Sequence, residues 1–175
     1  HGGAAVWGPA GPLDRQTRKL REQALGPDDP LVGQSASNLA TYLNFMGDFG
    51  AARPLFERAL AIVEKVRGPD HRDVAQVLAN ASNCLGELGD FQEARSVLER
   101  AVTIQEKAIG PDSGEVAGTL TGLANLLGRM GDLAGARRTF ERAFAIFSRS
   151  PDGRFHVATG SRDLADLLAG AGEDT

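Results

Sequence analysis

The sequence predicts an all-α fold, a solenoid of stacked helix pairs, and three observations carry that expectation. Short motifs recur at one spacing: Gly-Pro-Asp starts at Gly26, Gly68 and Gly110, Gly-Asp at Gly47, Gly89 and Gly131, and Glu-Arg-Ala at Glu57, Glu99 and Glu141, each 42 residues apart. Between these motifs apolar residues fall at helical intervals. Small residues keep the same register: Ala52, Ala94 and Ala136 form one series, and Val32, Val74 and Val116 an apolar series beside it.

Taken in order, residues 1–12 read as a flexible Gly/Ala/Pro segment. Repeat 1 (26–67) opens on Asp29 as an N-cap with Pro30 in the first helical position. Val32, Ala36, Leu39, Ala40 and Leu43 then mark one face of its first helix. Gly47-Asp48 ends that helix where a Cβ would be costly. Ala52, Leu55, Phe56, Ala59, Leu60 and Val63 mark the second helix, with Pro54 confined to its first turns. Repeats 2 (68–109) and 3 (110–150) follow the same plan, and Asp112 with Glu115 has capping-box spacing. A fourth copy (151–175, a first helix and tail) starts after Pro151 with one residue deleted, so that Val157 answers Val116. Ala40, Ser82, Ala124 and Ala165 share a register in which short side chains let helices approach. No unit of this size buries its stripe alone, so stability must come from stacking.

Composition excludes several classes of function. Lys and Arg number 19 against 23 Asp and Glu, a net charge of −4, which argues against a nucleic-acid binder relying on a basic surface. A single cysteine rules out an internal disulfide, and three histidines leave little material for a metal centre. The expectation is therefore no metal and no cofactor. No run approaches the length of a membrane span, and no secretory leader is legible, so the expected location is cytoplasmic with no membrane partner. No phosphate loop, zinc-protease or nucleophile-elbow motif is present. Cys84 stands where Tyr42 and Leu126 stand in other repeats, which reads as a buried structural thiol. His71 reads as a loop or cap residue, and Glu57, Glu99 and Glu141 recur with the repeat, so they belong to the scaffold. The chain is not expected to be an enzyme.

The residues 89–117, GDFQEARSVLERAVTIQEKAIGPDSGEVA, resemble the tetratricopeptide repeat (TPR) family in its long variant, similar to kinesin light chain and many bacterial repeats. The resemblance spans about 26–172, with small-residue positions matched at Ala40, Ala52, Phe56 and Ala59. Ala36 and Leu43 replace the tryptophan and tyrosine of the shorter consensus of about 34 residues. Residues 13–25 look like the second helix of a partial repeat. The resemblance implies a right-handed superhelix of antiparallel helix pairs, its concave groove lined by first helices. Carried over position by position, the groove candidates are Gln34, Asn38, Thr41, Gln76, Asn80, Asn83, Asn125, Arg129 and Arg162, with Ser37 and Phe45 beside them. Asparagine is a poor helix former, and its amide both donates and accepts, which suits it to hold an extended peptide backbone.

The implied function is a non-catalytic protein–protein interaction scaffold taking a peptide or helix of a partner. The alternative is the sensor arm of a larger signalling NTPase or caspase-like protease protein. The first-helix positions relevant to a carboxylate clamp carry no Lys or Arg in repeats one to three, which leaves only Arg162, so recognition of a C-terminal carboxylate is not expected. Leu164, Leu167 and Leu168 form a stripe with one side left over, from which end-to-end self-association is expected.

Overall fold

The computed structural model describes residues 10–149, with side chains from Arg15 onward. The fourth partial repeat, the Leu164, Leu167 and Leu168 stripe and Arg162 lie outside the described residues. Seven helices follow one another among the described residues: α1 (Ala10–Leu25), α2 (Pro30–Phe45), α3 (Phe49–Arg67), α4 (Arg72–Glu87), α5 (Phe91–Ile109), α6 (Gly114–Arg129) and α7 (Leu133–Phe147). The first begins at Ala10, three residues before the expected Leu13. Pro12 falls in its first turn, where the missing N–H has no intrahelical acceptor to lose.

Glycine ends each helix from α1 to α6. Gly26, Gly47, Gly68, Gly89, Gly110 and Gly131 all have φ between 80° and 93°, the left-handed region that a side chain disfavours. Each helix that begins a repeat is capped three residues after such a glycine. Asp29 accepts from the Leu31 amide at 2.8 Å, with Pro30 following as expected. His71 accepts through Nδ1 from the Asp73 amide at 3.2 Å. Ser113 accepts from the Val116 amide at 3.3 Å. The third corrects the Asp112–Glu115 capping box. The turn after Gly110 uses up Pro111 and Asp112, so the cap falls on Ser113, and the Asp112 carboxylate instead accepts from Arg149 Nη1 at 3.0 Å.

The chain divides into two compact units, one ending at Asp90 and the other starting at Phe91. In the first, α1 packs on α2, α2 on α3 and α3 on α4, with α2 also touching α4. In the second, α5 packs on α6 and α6 on α7. Val32, Ala36, Leu39, Ala40, Ala52, Phe56 and Ala59 are buried in the first unit. Val102, Val116, Ala117, Leu120, Ala143, Ile146 and Phe147 form one cluster in the second. Ala52, Ala94 and Ala136 each expose 0% of their surface, as expected of residues at close helix crossings. Leu20 shows what stacking supplies. It is 56% exposed, whereas Ile62, its equivalent one repeat on, is 3% exposed and lies against Gly33 of α2. Among the described residues no first helix precedes α1 to cover Leu20.

Charge follows the repeat as well. Arg53–Glu57, Arg95–Glu99 and Arg137–Glu141 pair one turn apart at 3.0, 2.7 and 2.9 Å, which places the recurring glutamates in the scaffold. Between elements, Glu22 pairs with Arg58 and Glu106 with Arg142, while Asp28 meets Lys65 at 2.5 Å. These pairs are solvent-exposed or half-buried, so each contributes little stability. One polar group breaks the pattern. Gln105 in α5 is buried, and its Oε1 has no hydrogen-bond partner, at the register where Val63 and Phe147 are apolar.

Two outcomes test this packing. Ala94→Leu adds volume where no surface is exposed and should lower unfolding stability by about 1–3 kcal/mol in a denaturant titration. Gln105→Leu removes an unsatisfied buried carbonyl and should raise stability by about 1 kcal/mol. An unchanged midpoint for the first, or a loss for the second, contradicts the packing described.

Candidate functional site

Helices α2 and α4 are the first helices of consecutive repeats, so equivalent residues on them are 42 apart. Gln34 and Asn38 stand one turn apart on α2, as do Gln76 and Asn80 on α4, which puts each pair on one helix face. A cleft of about 300 Å³ brings all four together. Its other walls come from Pro30, Leu31, Gly33 and Ser37 of α2, Val63, Val66 and Arg67 at the end of α3, and Asp73 and Val77 of α4. That volume is at the small end of the range for ligand sites.

The polar groups of the cleft are only partly engaged. Gln76 Nε2 donates to Asn80 Oδ1 at 3.2 Å, which leaves the Asn80 amide nitrogen as a donor. Gln34 and Asn38 make no side-chain hydrogen bond among the described residues, and both are exposed. Arg67 Nε lies 4.0 Å from Asp73 Oδ2, at the limit of an ion pair. Asp73 also lies 3.4 Å from His71 Nδ1, beside the cap of α4. The cleft therefore offers amide donors and acceptors above an apolar floor, with one cation and one anion side by side.

The remaining candidates are placed differently. Thr41 is exposed further along α2, where its Oγ1 donates to the Ser37 carbonyl at 2.9 Å, and Asn83 is exposed on α4. Neither lines the cleft. Asn125 and Arg129 belong to α6 in the second unit, where Asn125 is exposed. The Arg129 guanidinium sits over the Phe91 ring, 5.2 Å from its centroid, so a cation–π contact holds it against α5. Sequence reasoning missed the α3 contribution, because it assigned the groove to first helices alone. The available signal was register: Val63 stands where the next repeat has Gln105.

Cys84 is 1% exposed, and its Sγ donates to the Phe49 carbonyl at 3.3 Å. Burial pushes its pKa up, with Glu57 adding to the rise and Arg53 opposing it. A thiol held protonated in this way is structural. Among the described residues no group of three or more His, Cys, Asp or Glu is placed to hold a metal ion. None of the described helices is long and apolar enough to cross a membrane.

A family model described as tetratricopeptide repeat matches residues 10–65 and 31–107, and a second of the same description matches 116–149. The chain belongs to the tetratricopeptide repeat family. Among solved structures, this TPR chain is similar to BtubC (BKLC) from P. vanneervenii at 24% identity and a TM-score of 0.83, over 95% of this chain and 67% of that one. It is also similar to the nearly identical TPR-like repeats of a kinesin light chain-like protein from Podosopora anserina, at 22% identity and a TM-score of 0.77, over 94% of this chain and 78% of that one. A substituted form of the latter gives a TM-score of 0.78. At these identities the likeness establishes the all-α, TPR-type solenoid class. No curated protein matches the chain in sequence. TPR repeats generally mediate protein–protein interaction and are typically non-catalytic.

The thiol of this TPR chain provides a test. Because the native pKa is raised, the unfolded state loses its proton first as pH climbs. The stability is intact below the unfolded thiol's pKa and is lost as pH rises through the native one. As pH rises above about 8.5, the ordinary thiol value, Cys84→Ala should lose less stability than the parent chain. A thiol-reactive dye should label native Cys84 far more slowly than the denatured chain. Labelling at equal rates is the opposing result.

Proposed function

We propose that this chain is a non-catalytic interaction scaffold that holds an extended peptide segment of a protein partner against its first helices. The observation that carries the reading is the gathering of Gln34, Asn38, Gln76 and Asn80 in one cleft between α2 and α4. Extended peptides present a backbone N–H and C=O at every residue, and each one buried needs a partner. Carboxamides can meet either need. The third first helix, α6, carries Gly118 and Gly122 where α2 and α4 carry these amides, so the fold does not require amides there. Thr41 and Asn83 are proposed as further contacts on α2 and α4, and Asn125, Arg129 and Arg162 as separate peptide contacts of the later repeats. The partner is a protein or peptide, with no role for nucleic acid, membrane or cofactor. The lone thiol, Cys84, fits a reducing compartment such as the cytoplasm.

The amide pair Asn38→Ala with Asn80→Ala tests the reading. Each lost amide should weaken binding by about 0.5–1.5 kcal/mol, so about fivefold or more together. Affinity for a peptide selected on the chain is measured by fluorescence polarisation, with helicity and melting temperature close to the parent. Arg137→Ala with Glu141→Ala, an exposed pair on α7, should leave binding nearly unchanged. Loss from the α7 pair with none from the amide pair moves the site away from the cleft and overturns the proposal.

A further inference from the structure

The same cleft carries a feature that backbone holding does not use. Its floor is apolar: Val63 and Val77 are buried beneath it, and Leu31 and Val66 beside them are 44% and 45% exposed. Scattered exposed aliphatic residues are ordinary, but here two branched side chains border one cleft over two buried valines. The repeat itself shows that the scaffold does not need them. One repeat along, the positions of Leu31, Val63, Val66 and Val77 are occupied by Asp73, Gln105, Ala108 and Thr119. Three of the four become polar and the fourth loses two methyl groups, while Gly-Pro-Asp, Gly-Asp and Glu-Arg-Ala are retained. The apolar floor is local to this cleft and is left partly open to water.

Charge narrows the occupant further. The ionisable residues lining the cleft are Arg67 and Asp73, 4.0 Å apart and of opposite sign, so they offset one another and favour neither an acidic nor a basic anchor. Burying either charge beside Val63 and Val66 without a dedicated partner would be unfavourable. We infer that this cleft is an anchor pocket for one uncharged aliphatic side chain of an extended peptide, seated on Leu31, Val63, Val66 and Val77 while amides border its backbone. This rests on the peptide-binding reading above and adds the chemistry of the residue recognised.

The test is selection of random heptapeptides displayed on phage against the full chain, followed by affinity measurements on the synthetic peptides enriched. Enriched peptides should share one Leu, Ile, Val or Met, without a charged residue at that position. Replacing that residue with Asp or Lys should weaken binding about tenfold or more, as expected for losing a buried aliphatic side chain. Leu31→Asp with Val66→Ala installs the residues the chain uses one repeat along, so the fold should persist with an unchanged melting temperature. Binding by this variant should also fall about tenfold. If the variant melts early, Val66→Ala alone and the peptide substitutions carry the test. Charged consensus anchors, or unaltered binding by the variant while Asn38→Ala with Asn80→Ala still weakens it, overturn the aliphatic pocket and leave the peptide-binding reading standing. Peptides insensitive to both sets of changes, or no enrichment at all, overturn both.

Discussion

Close approach of neighbouring helices is the constraint on which the rest of this structure depends. A helix pair of this length has more apolar face than it can cover by itself, so each helix must lie against more than one neighbour. That is possible only where side chains are short. Ala36, Ala40, Ala52 and Ala59 in the first unit, and Ala117, Ala124, Ala136 and Ala143 in the second, expose no surface at all. Larger residues fill the space between such contacts, Phe56 and Leu39 in one unit and Phe140 and Leu120 in the other. The ionic pairs come after this packing. They join exposed positions that the buried alanines have already brought together.

Much of this was legible in the sequence, because a repeat states its own register several times. Helix ends, the first cap at Asp29 and the buried alanines all follow from local chemistry that recurs, and a recurring signal averages out local exceptions. The cap at Ser113 was misread because Asp112 is also a good capping residue. Only the count of residues used up by the turn after Gly110 decides between them. His71 was legible as a loop or cap residue. Its role through Nδ1 becomes visible only when the capped amide of Asp73 is placed beside it.

The candidate site was only half legible, for a related reason. Gln34, Asn38, Gln76 and Asn80 share a helix face, and a helical period places them without any tertiary information. Val63, Val66 and Arg67 reach the same cleft from the end of α3, a placement set by how far that helix runs before Gly68. Periodicity cannot tell an apolar residue at a helix end that meets a neighbour from one that borders a cleft. Arg129 shows the same limit: the helical period places it on α6, but its contact with Phe91, 38 residues earlier, is set by tertiary packing.

The left-handed glycines have a consequence for how such a chain can change in length. Gly26, Gly47, Gly68, Gly89, Gly110 and Gly131 are evenly spaced at 21 residues, although first and second helices differ in length and in the face they bury. A duplication or loss of 21 residues would leave every stop in place but would put a first-helix sequence into a second-helix slot. Asn38 would then fall where Ala59 packs, an amide in place of a methyl group that exposes no surface. Only a change of 42 residues preserves both the stops and the faces. The chain therefore has a grammar with two levels, in which glycine marks the word and the alanine register marks the sentence, and only whole sentences can be added or removed.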